Sequence, residues 1–240
     1  HEATLGVGMV YVINAISFLA MLIALALMKT PTQKNSGAVK ITRQSLTEGI
    51  HFVRQEKMIL STMLLDFIAT FFSSATSLLP IFAKEILQVN ATGLGILYAA
   101  ESIGAVIAGA VMSLARQIKR KGHLVLWAVA GYGLATTLYG LSNLFWLSVF
   151  FLALVGAADT ISTIMRNTLR QLATPDELRG RMTGVNMIFF MGGPQLGNLE
   201  AGLVAAWVGA PLAVITGGIA TIIAVAATAW LAPQLREYKD

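Results

Sequence analysis

The sequence predicts an all-α polytopic membrane protein with seven transmembrane helices. Hydrophobic residues make up 56% of its 240 residues and charged residues only 12%, and the mean hydropathy is +0.71. A soluble domain carries about twice that share of charged residues. Seven apolar runs are each long enough to cross the roughly 30 Å hydrocarbon core of a bilayer. The lysines and arginines, with the one exception of Lys84, lie on alternate connectors.

In chain order, the apolar runs are Leu5–Met28, Met58–Phe82, Ala91–Ala115, His123–Leu141, Leu144–Met165, Met182–Val208 and Ala210–Leu231. The first run follows neither an initiator methionine nor a basic flank, so it does not have the form of a signal peptide. We therefore expect the chain to be a fragment of a longer protein. The positive-inside rule puts its N-terminus outside and its C-terminus in the cytoplasm.

The long connector 29–57 divides the first span from the other six. Its first half, TPTQKNSGAVK, is a polar linker without apolar periodicity. Ser45 and Glu48 then have the spacing of a capping box, and apolar residues follow at Leu46, Ile50 and Val53. This pattern predicts either a short amphipathic helix on the cytoplasmic interface or the solvated start of the second span.

The connector after the fifth span, RNTLRQLATPDELRGRMTG, combines basic residues with a helix-start signal. Thr174 is predicted to be an N-cap, Pro175 the first helical residue and Glu177 the partner in a capping box. A new helix is therefore expected to begin near residue 175. We expect the lipid bilayer to be the partner of this basic chain and nucleic acid to be excluded, because the net charge of +5 is spread over connectors rather than one helical stripe.

Three stretches give the chain a family resemblance: LATPDELRGRMTG, GGPQLGNLEAG and ATGLGILYAAESIGAVIAGAVMS. They resemble the tenth-to-eleventh connector, the eleventh helix and the eighth helix of the bacterial efflux branch of the major facilitator superfamily. The resemblance implies half of a major-facilitator-type bundle: residues 1–28 as the last helix of the preceding half, 29–57 as the cytoplasmic linker and 58–240 as a six-helix bundle. The connector SLARQIKRKG departs from the family because Ser113 stands where an acid is expected, so no charge relay is predicted there.

Four carboxylates lie within apolar runs: Asp66, Glu101, Asp159 and Glu200. A charged side chain at the bilayer centre costs roughly 2.5–3.5 kcal/mol on insertion scales, so each needs a cation, a proton or water. No lysine or arginine lies inside a predicted span, and we expect no buried ion pair. The four acids are therefore candidates for proton coupling. The alternatives are that Asp159 reaches toward the cytoplasmic interface or caps a neighbouring helix, and that Glu200 occupies the solvated outer rim.

A substrate cavity is predicted from amides and aromatic rings at membrane depth. The candidates are Tyr98, Asn186, Phe189, Gln195 and Asn198. The alternative is that the aromatic residues face lipid or the packed core. Gly193 and Gly197 form a GxxxG pair, which predicts close helix packing.

A cytoplasmic gate is predicted at the basic connector, which lies between two helices that move relative to one another in such a transporter. Its candidate residues are Arg166, Arg170, Asp176, Glu177, Arg179 and Arg181. We expect Arg170, Arg179 and Arg181 to pair with Asp176, Glu177 or lipid headgroups when the transporter faces outward. The alternative is that these arginines only anchor the topology.

The resulting prediction is a secondary active transporter of the bacterial inner membrane that exports a small amphiphilic compound, such as a drug or a siderophore, in exchange for protons. Its partners would be that substrate and a missing N-terminal half. No cofactor, metal site or enzyme activity is expected, since the sequence has no cysteine and no HExxH or GxSxG motif. The alternative is a non-transporting structural or regulatory seven-helix subunit or a receptor.

Overall fold

The computed structural model describes residues 2–27, 43–72, 75–115, 118 and 120–237. Within these ranges all regular structure is helical, which confirms the all-α class. The elements are α1 (Glu2–Leu27), α2 (Arg43–Gln55), α3 (Lys57–Phe72), α4 (Leu79–Ile81), α5 (Ala91–Leu114), α6 (Lys121–Leu141), α7 (Phe145–Ala173), α8 (Arg179–Val208), α9 (Ala210–Leu231) and α10 (Pro233–Glu237), with 3-10 turns at Ala75–Leu78 and Asp176–Leu178 and a π-helical turn at Phe82–Ile86. The polar linker lies outside the described residues.

Five described segments are long and apolar enough to cross a membrane: Lys57–Ile86, Ala91–Leu114, Lys121–Leu141, Phe145–Ala173 and Ala210–Leu231. A shorter apolar helix covers Tyr11–Leu27. Helix α8 has 30 residues and is also long enough, but amides, glycines and Pro194 lower its hydropathy. The predicted polytopic architecture is therefore confirmed.

The chain forms two compact units, His1–Lys40 and Ile41–Asp240. Helix α1 is the described part of the first. In the second, α7 packs against α5 and α6, α6 packs against α9, and α3 packs against α8 and α9. All four tryptophans of the sequence are 73–84% exposed, and Trp146, Trp207 and Trp230 lie in terminal turns of their helices. Tryptophans in such positions are typical of membrane–water interfaces.

The second predicted span is interrupted. Helix α3 ends at Phe72, and the segment that follows the two residues outside the description passes through a 3-10 turn, the single turn α4 and the π-helical turn. Pro80, in α4, has no backbone N–H to continue a regular helix. The break places Thr76 beside the middle of α5, where its hydroxyl reaches Glu101.

Helix α2 is a separate helix rather than the start of the second span, because the chain leaves helical geometry at Glu56 before α3 begins. It packs against α8, where a Cβ at Gly49 would lie 3.1 Å from the carbonyl oxygen of Arg181. Val53 is buried against apolar residues of α3 and α8. Since α2 begins at Arg43, Ser45 lies inside the first turn and the predicted cap there is wrong.

The capping box at Thr174 is also wrong. The Thr174 hydroxyl donates to the carbonyl oxygen of Arg170 at 2.6 Å, so it satisfies the end of α7 instead of the start of a new helix. Pro175 has extended geometry with φ −55° and ψ 148°. Helix α8 begins only at Arg179, after the 3-10 turn.

Candidate functional site

The site is built around a buried ion pair between α3 and α7. Nη2 of Arg166 lies 2.9 Å from Oδ1 of Asp66, and Nη1 of Arg170 lies 3.7 Å from Oδ2 of the same carboxylate. The three residues are only 2–3% exposed. The expectation that no ion pair is buried is therefore wrong. The expectation failed because α7 continues about two helical turns beyond Met165, the predicted end of the span. Both arginines lie on this extension and are buried inside the bundle.

The spacing along α7 explains how the cluster assembles. Asp159, Arg166 and Arg170 are separated by seven and four residues, which places them on one helical face. Asp159 approaches Arg166 at 3.9 Å, a distance beyond hydrogen bonding, and its side chain is 48% exposed. Arg166 also donates to the Thr163 hydroxyl at 3.1 Å. Asp66 thus bonds Arg166 closely, whereas the contacts of Asp66 with Arg170 and of Asp159 with Arg166 are longer.

Arg170 extends the cluster to α8. It donates through Nη1 to the side-chain oxygen of Asn186 and through Nη2 to that of Asn167 at 2.7 Å. Asn186 was predicted to line a substrate cavity, and the structure places it in the charge cluster. Three helices, α3, α7 and α8, therefore meet at one guanidinium group.

Glu101 lies on α5, on the side of that helix that packs against α7. Its Oε2 accepts a hydrogen bond of 3.1 Å from the Thr76 hydroxyl, and a Cβ at Gly156 of α7 would overlap its backbone oxygen. Within the described ranges no lysine or arginine forms an ion pair with Glu101. The glutamate therefore adds a negative charge that the two arginines do not directly compensate.

The other candidate residues are less closely associated. Phe189 packs edge-to-face on Phe67 at a centroid distance of 6.3 Å, so this ring belongs to a contact between α8 and α3. The side chains of Tyr98, Gln195 and Asn198 are exposed, and Glu200 is half-exposed. In the part of the chain that the structure describes, no ion pair reaches Glu200.

The predicted gate residues divide into two groups. Arg166 and Arg170 are buried in the cluster, whereas Arg179 forms an exposed pair with Asp176 at 2.8 Å. Arg181 pairs with Glu48 of α2 at 2.6 Å. Arg179 thus contacts a connector acid in this structure, whereas Arg170 contacts Asp66 and Arg181 contacts Glu48. The pairing of these arginines in the outward-facing state stays a prediction. Glu177 is exposed on the 3-10 turn.

The sequence did not indicate the hydrogen-bond partners of Glu101 and Arg170. Thr76 and Asn167 stood in no motif, and their roles depend on contacts with Glu101 and Arg170. The periodic spacing of Asp159, Arg166 and Arg170 was a signal that an extended α7 would carry three charges on one face. A prediction based on hydropathy does not use this spacing, because the apolar run of the fifth span ends just before Arg166.

Comparisons with known proteins place the chain in a family. A family model described as "transmembrane secretion effector", of the major facilitator superfamily, matches residues 2–240. The enterobactin exporter EntS of Escherichia coli O1:K1 is 30% identical over 164 residues, which cover 68% of this chain and 38% of that protein. Proteins of the same name from Escherichia coli O81 (strain ED1a) and Shigella boydii serotype 18 match with the same identity and coverage. The match thus spans well under half the length of these relatives.

Proposed function

The chain belongs to the transmembrane secretion effector family of the major facilitator superfamily, and from that membership we propose that it forms the C-terminal half of a secondary exporter working by alternating access. In this proposal residues 1–28 are the last helix of the first half, 29–57 the cytoplasmic linker and 58–240 the second half. Its partners are the bilayer, the N-terminal half and the exported compound. The distribution of basic residues supports an inner-membrane orientation with the C-terminus in the cytoplasm.

Proton coupling is supported by one observation, the ratio of acids to cations at the site. Two carboxylates, Asp66 and Asp159, accompany the two guanidinium groups, and a third acid at membrane depth, Glu101, is bonded by the Thr76 hydroxyl and forms no ion pair among the described residues. With every group ionised, one negative charge is left over in apolar surroundings, where an uncompensated charge is expensive. Binding of one proton removes this excess. Apolar residues of similar volume would stabilise the bundle at least as well, so stability alone does not account for these charges.

The substrate we propose is a small amphiphilic compound, such as a siderophore or a drug. The relatives are named for enterobactin export, which makes enterobactin the first compound to test. Aromatic rings on α3, α5 and α8, including Phe67, Tyr98 and Phe189, supply apolar surface on the same helices that carry Asp66, Glu101 and Asn186. An amphiphile presents the same combination of apolar and polar groups.

Substitution of Glu101 by glutamine tests the coupling. Glutamine keeps an oxygen that accepts from Thr76 but can neither ionise nor bind the proton. In cells expressing the complete gene, we expect proton-driven efflux to fall about tenfold or more, because a coupling free energy of about 1–3 kcal/mol between two sites corresponds to roughly 5–150-fold. Efflux is followed with enterobactin, erythromycin and ethidium over a range of external pH.

The matched control is Glu85→Gln, which makes the same chemical change at an exposed position in the π-helical turn before α5. This variant is expected to export as the wild type does. If Glu101→Gln cells keep wild-type efflux with the wild-type pH dependence, the coupling role of Glu101 is wrong.

A further inference from the structure

We propose that Thr76 is a positioning residue whose hydroxyl holds the ionised form of Glu101 and so sets the pH at which this carboxylate takes up its proton. The inference rests on the proposed coupling role of Glu101 and deepens it, because it names the residue that controls when the proton binds. Three observations support it: the place of Thr76 in the interrupted span, the single bond that its hydroxyl makes, and the surroundings of Glu101.

The interruption of the second span presents Thr76 to α5. Its 3-10 turn, Ala75–Leu78, precedes the single turn α4. Leu78 and Leu79 are 0–3% exposed and belong to the same core cluster as Leu97 and Ala100 of α5. These buried side chains fix the turn against α5 next to Glu101. The Thr76 hydroxyl therefore lies in a defined position, 3.1 Å from Oε2 of Glu101.

The Thr76 hydroxyl differs from the other described threonine hydroxyls in its partner. A threonine within a helix can bond a carbonyl oxygen of the preceding turn. Nine threonines of this chain do so: Thr62, Thr70, Thr137, Thr168, Thr174, Thr183, Thr216, Thr221 and Thr228. Thr76 bonds Glu101 instead, and in the part of the chain that the structure describes its hydroxyl makes no other hydrogen bond. Loss of this hydroxyl therefore acts on the glutamate alone.

The bond favours the ionised glutamate over the protonated one. A hydrogen bond to a carboxylate is charge-assisted and roughly twice as strong as a bond between neutral groups. After protonation the same hydroxyl can still bond the carboxylic acid, but only as a neutral pair. The difference opposes uptake of the proton and favours its release, a step that a proton-coupled exporter needs in every cycle.

The charged groups around Glu101 do not take the place of Thr76. The other ionisable residues of α5, of α7 and of the turn that follows α4 are Lys84, Glu85, Tyr98, Asp159, Arg166 and Arg170. Both arginines contact Asp66, and Asp159 has Arg166 as its nearest cation. Lys84 and Glu85 are exposed on the π-helical turn. Among the described contacts, the Thr76 hydroxyl is thus the one donor to the Glu101 carboxylate.

Infrared spectroscopy of the full-length protein in liposomes measures the protonation of Glu101 as the pH is varied. A protonated carboxyl group has a carbonyl stretching band that a carboxylate lacks, and the band of Glu101 is identified by its loss in Glu101→Gln. Thr76→Val removes the hydroxyl and keeps the branched shape, whereas Thr76→Ser keeps the hydroxyl. The matched control Thr216→Val makes the same change at an exposed position of α9, where the hydroxyl bonds the Leu212 carbonyl oxygen at 2.8 Å.

In Thr76→Val, the midpoint of Glu101 protonation is expected to move to a higher pH by about one pH unit, the shift that loss of one hydrogen bond to a charged group produces. Thr76→Ala, which removes the hydroxyl without a bulky replacement, should give the same shift. Thr76→Ser and Thr216→Val should keep the wild-type midpoint. In cells expressing the complete gene, proton-driven efflux of the Thr76→Val variant should persist to a correspondingly higher external pH.

An unchanged midpoint in Thr76→Val and Thr76→Ala, or an equal shift in Thr216→Val, would overturn the role of Thr76. The same conclusion follows if Thr76→Ser loses the wild-type midpoint, or if the wild type has no band that Glu101→Gln removes.

The proposed function is judged separately, by efflux from Glu101→Gln cells. If this variant has lost proton-driven efflux while the Thr76→Val midpoint is unchanged, proton coupling stands and the role of Thr76 fails. If Glu101→Gln keeps wild-type efflux while the Thr76→Val midpoint shifts, Thr76 controls the protonation of Glu101 and the coupling role of Glu101 fails.

Discussion

Replacement of Arg166 by methionine is expected to lower the free energy of unfolding by about 3–5 kcal/mol. Methionine replaces the aliphatic part of the side chain but removes the guanidinium group that lies 2.9 Å from Asp66. Asp66 is then buried with only the more distant Arg170, and Asp159 loses its nearest cation. The full-length protein in detergent, unfolded by heat or denaturant, provides the measurement.

Arg179→Met is the control for this loss. It removes an arginine from the same connector region whose pair with Asp176 is 54–78% exposed. Exposed pairs contribute about 0–1 kcal/mol, so this variant should unfold close to the wild type. Equal stability of the Arg166 and Arg179 variants would mean that the buried pair is not what holds α3 to α7.

Replacement of Gly104 by alanine is the second substitution that is expected to lower the free energy of unfolding substantially. A methyl group there would overlap the Ala153 carbonyl of α7, and backbone atoms cannot move aside without separating the helices. We expect a loss of about 1–3 kcal/mol, although alanine is intrinsically the better helix former by about 1 kcal/mol. Because Glu101 lies one turn away on the same side of α5, which packs against α7, export should fall as well.

Gly95→Ala provides the comparison within α5. No atom lies within 4 Å of a Cβ at Gly95. This variant should therefore gain up to about 1 kcal/mol from helix propensity. If the Gly104 and Gly95 variants melt at the same temperature, the close contact between α5 and α7 is not a determinant of stability.

Helix boundaries could be predicted where hydropathy alone decides them. The last span, Ala210–Leu231, coincides with α9. Gly209, with φ 87°, precedes the helix and Pro233 follows it, and both residue types interrupt a helix. The end of α7 could not be found in this way. Arg166 ended the apolar run, yet the helix continues because its charge is met by Asp66, a residue a hundred positions earlier.

Local motifs failed where a longer-range contact used the same group. Thr174 has a capping-box sequence, but its hydroxyl bonds the end of the preceding helix. For the site, Asp66, Glu101 and Asp159 could be recognised as unusual because each is an acid within an apolar run, which the neighbouring sequence alone shows. Their partners arise from contacts between helices, which a single sequence does not reveal.

Transport by the full-length protein in liposomes under an imposed proton gradient tests proton-coupled export most directly. The probe is whichever of enterobactin, erythromycin or ethidium the cells export. We predict that a gradient acidic on the side to which the probe is exported drives it against its concentration gradient. A protonophore should abolish this movement, and Glu101→Gln should not show it. Uphill movement that is the same with and without the proton gradient would contradict the proposed coupling.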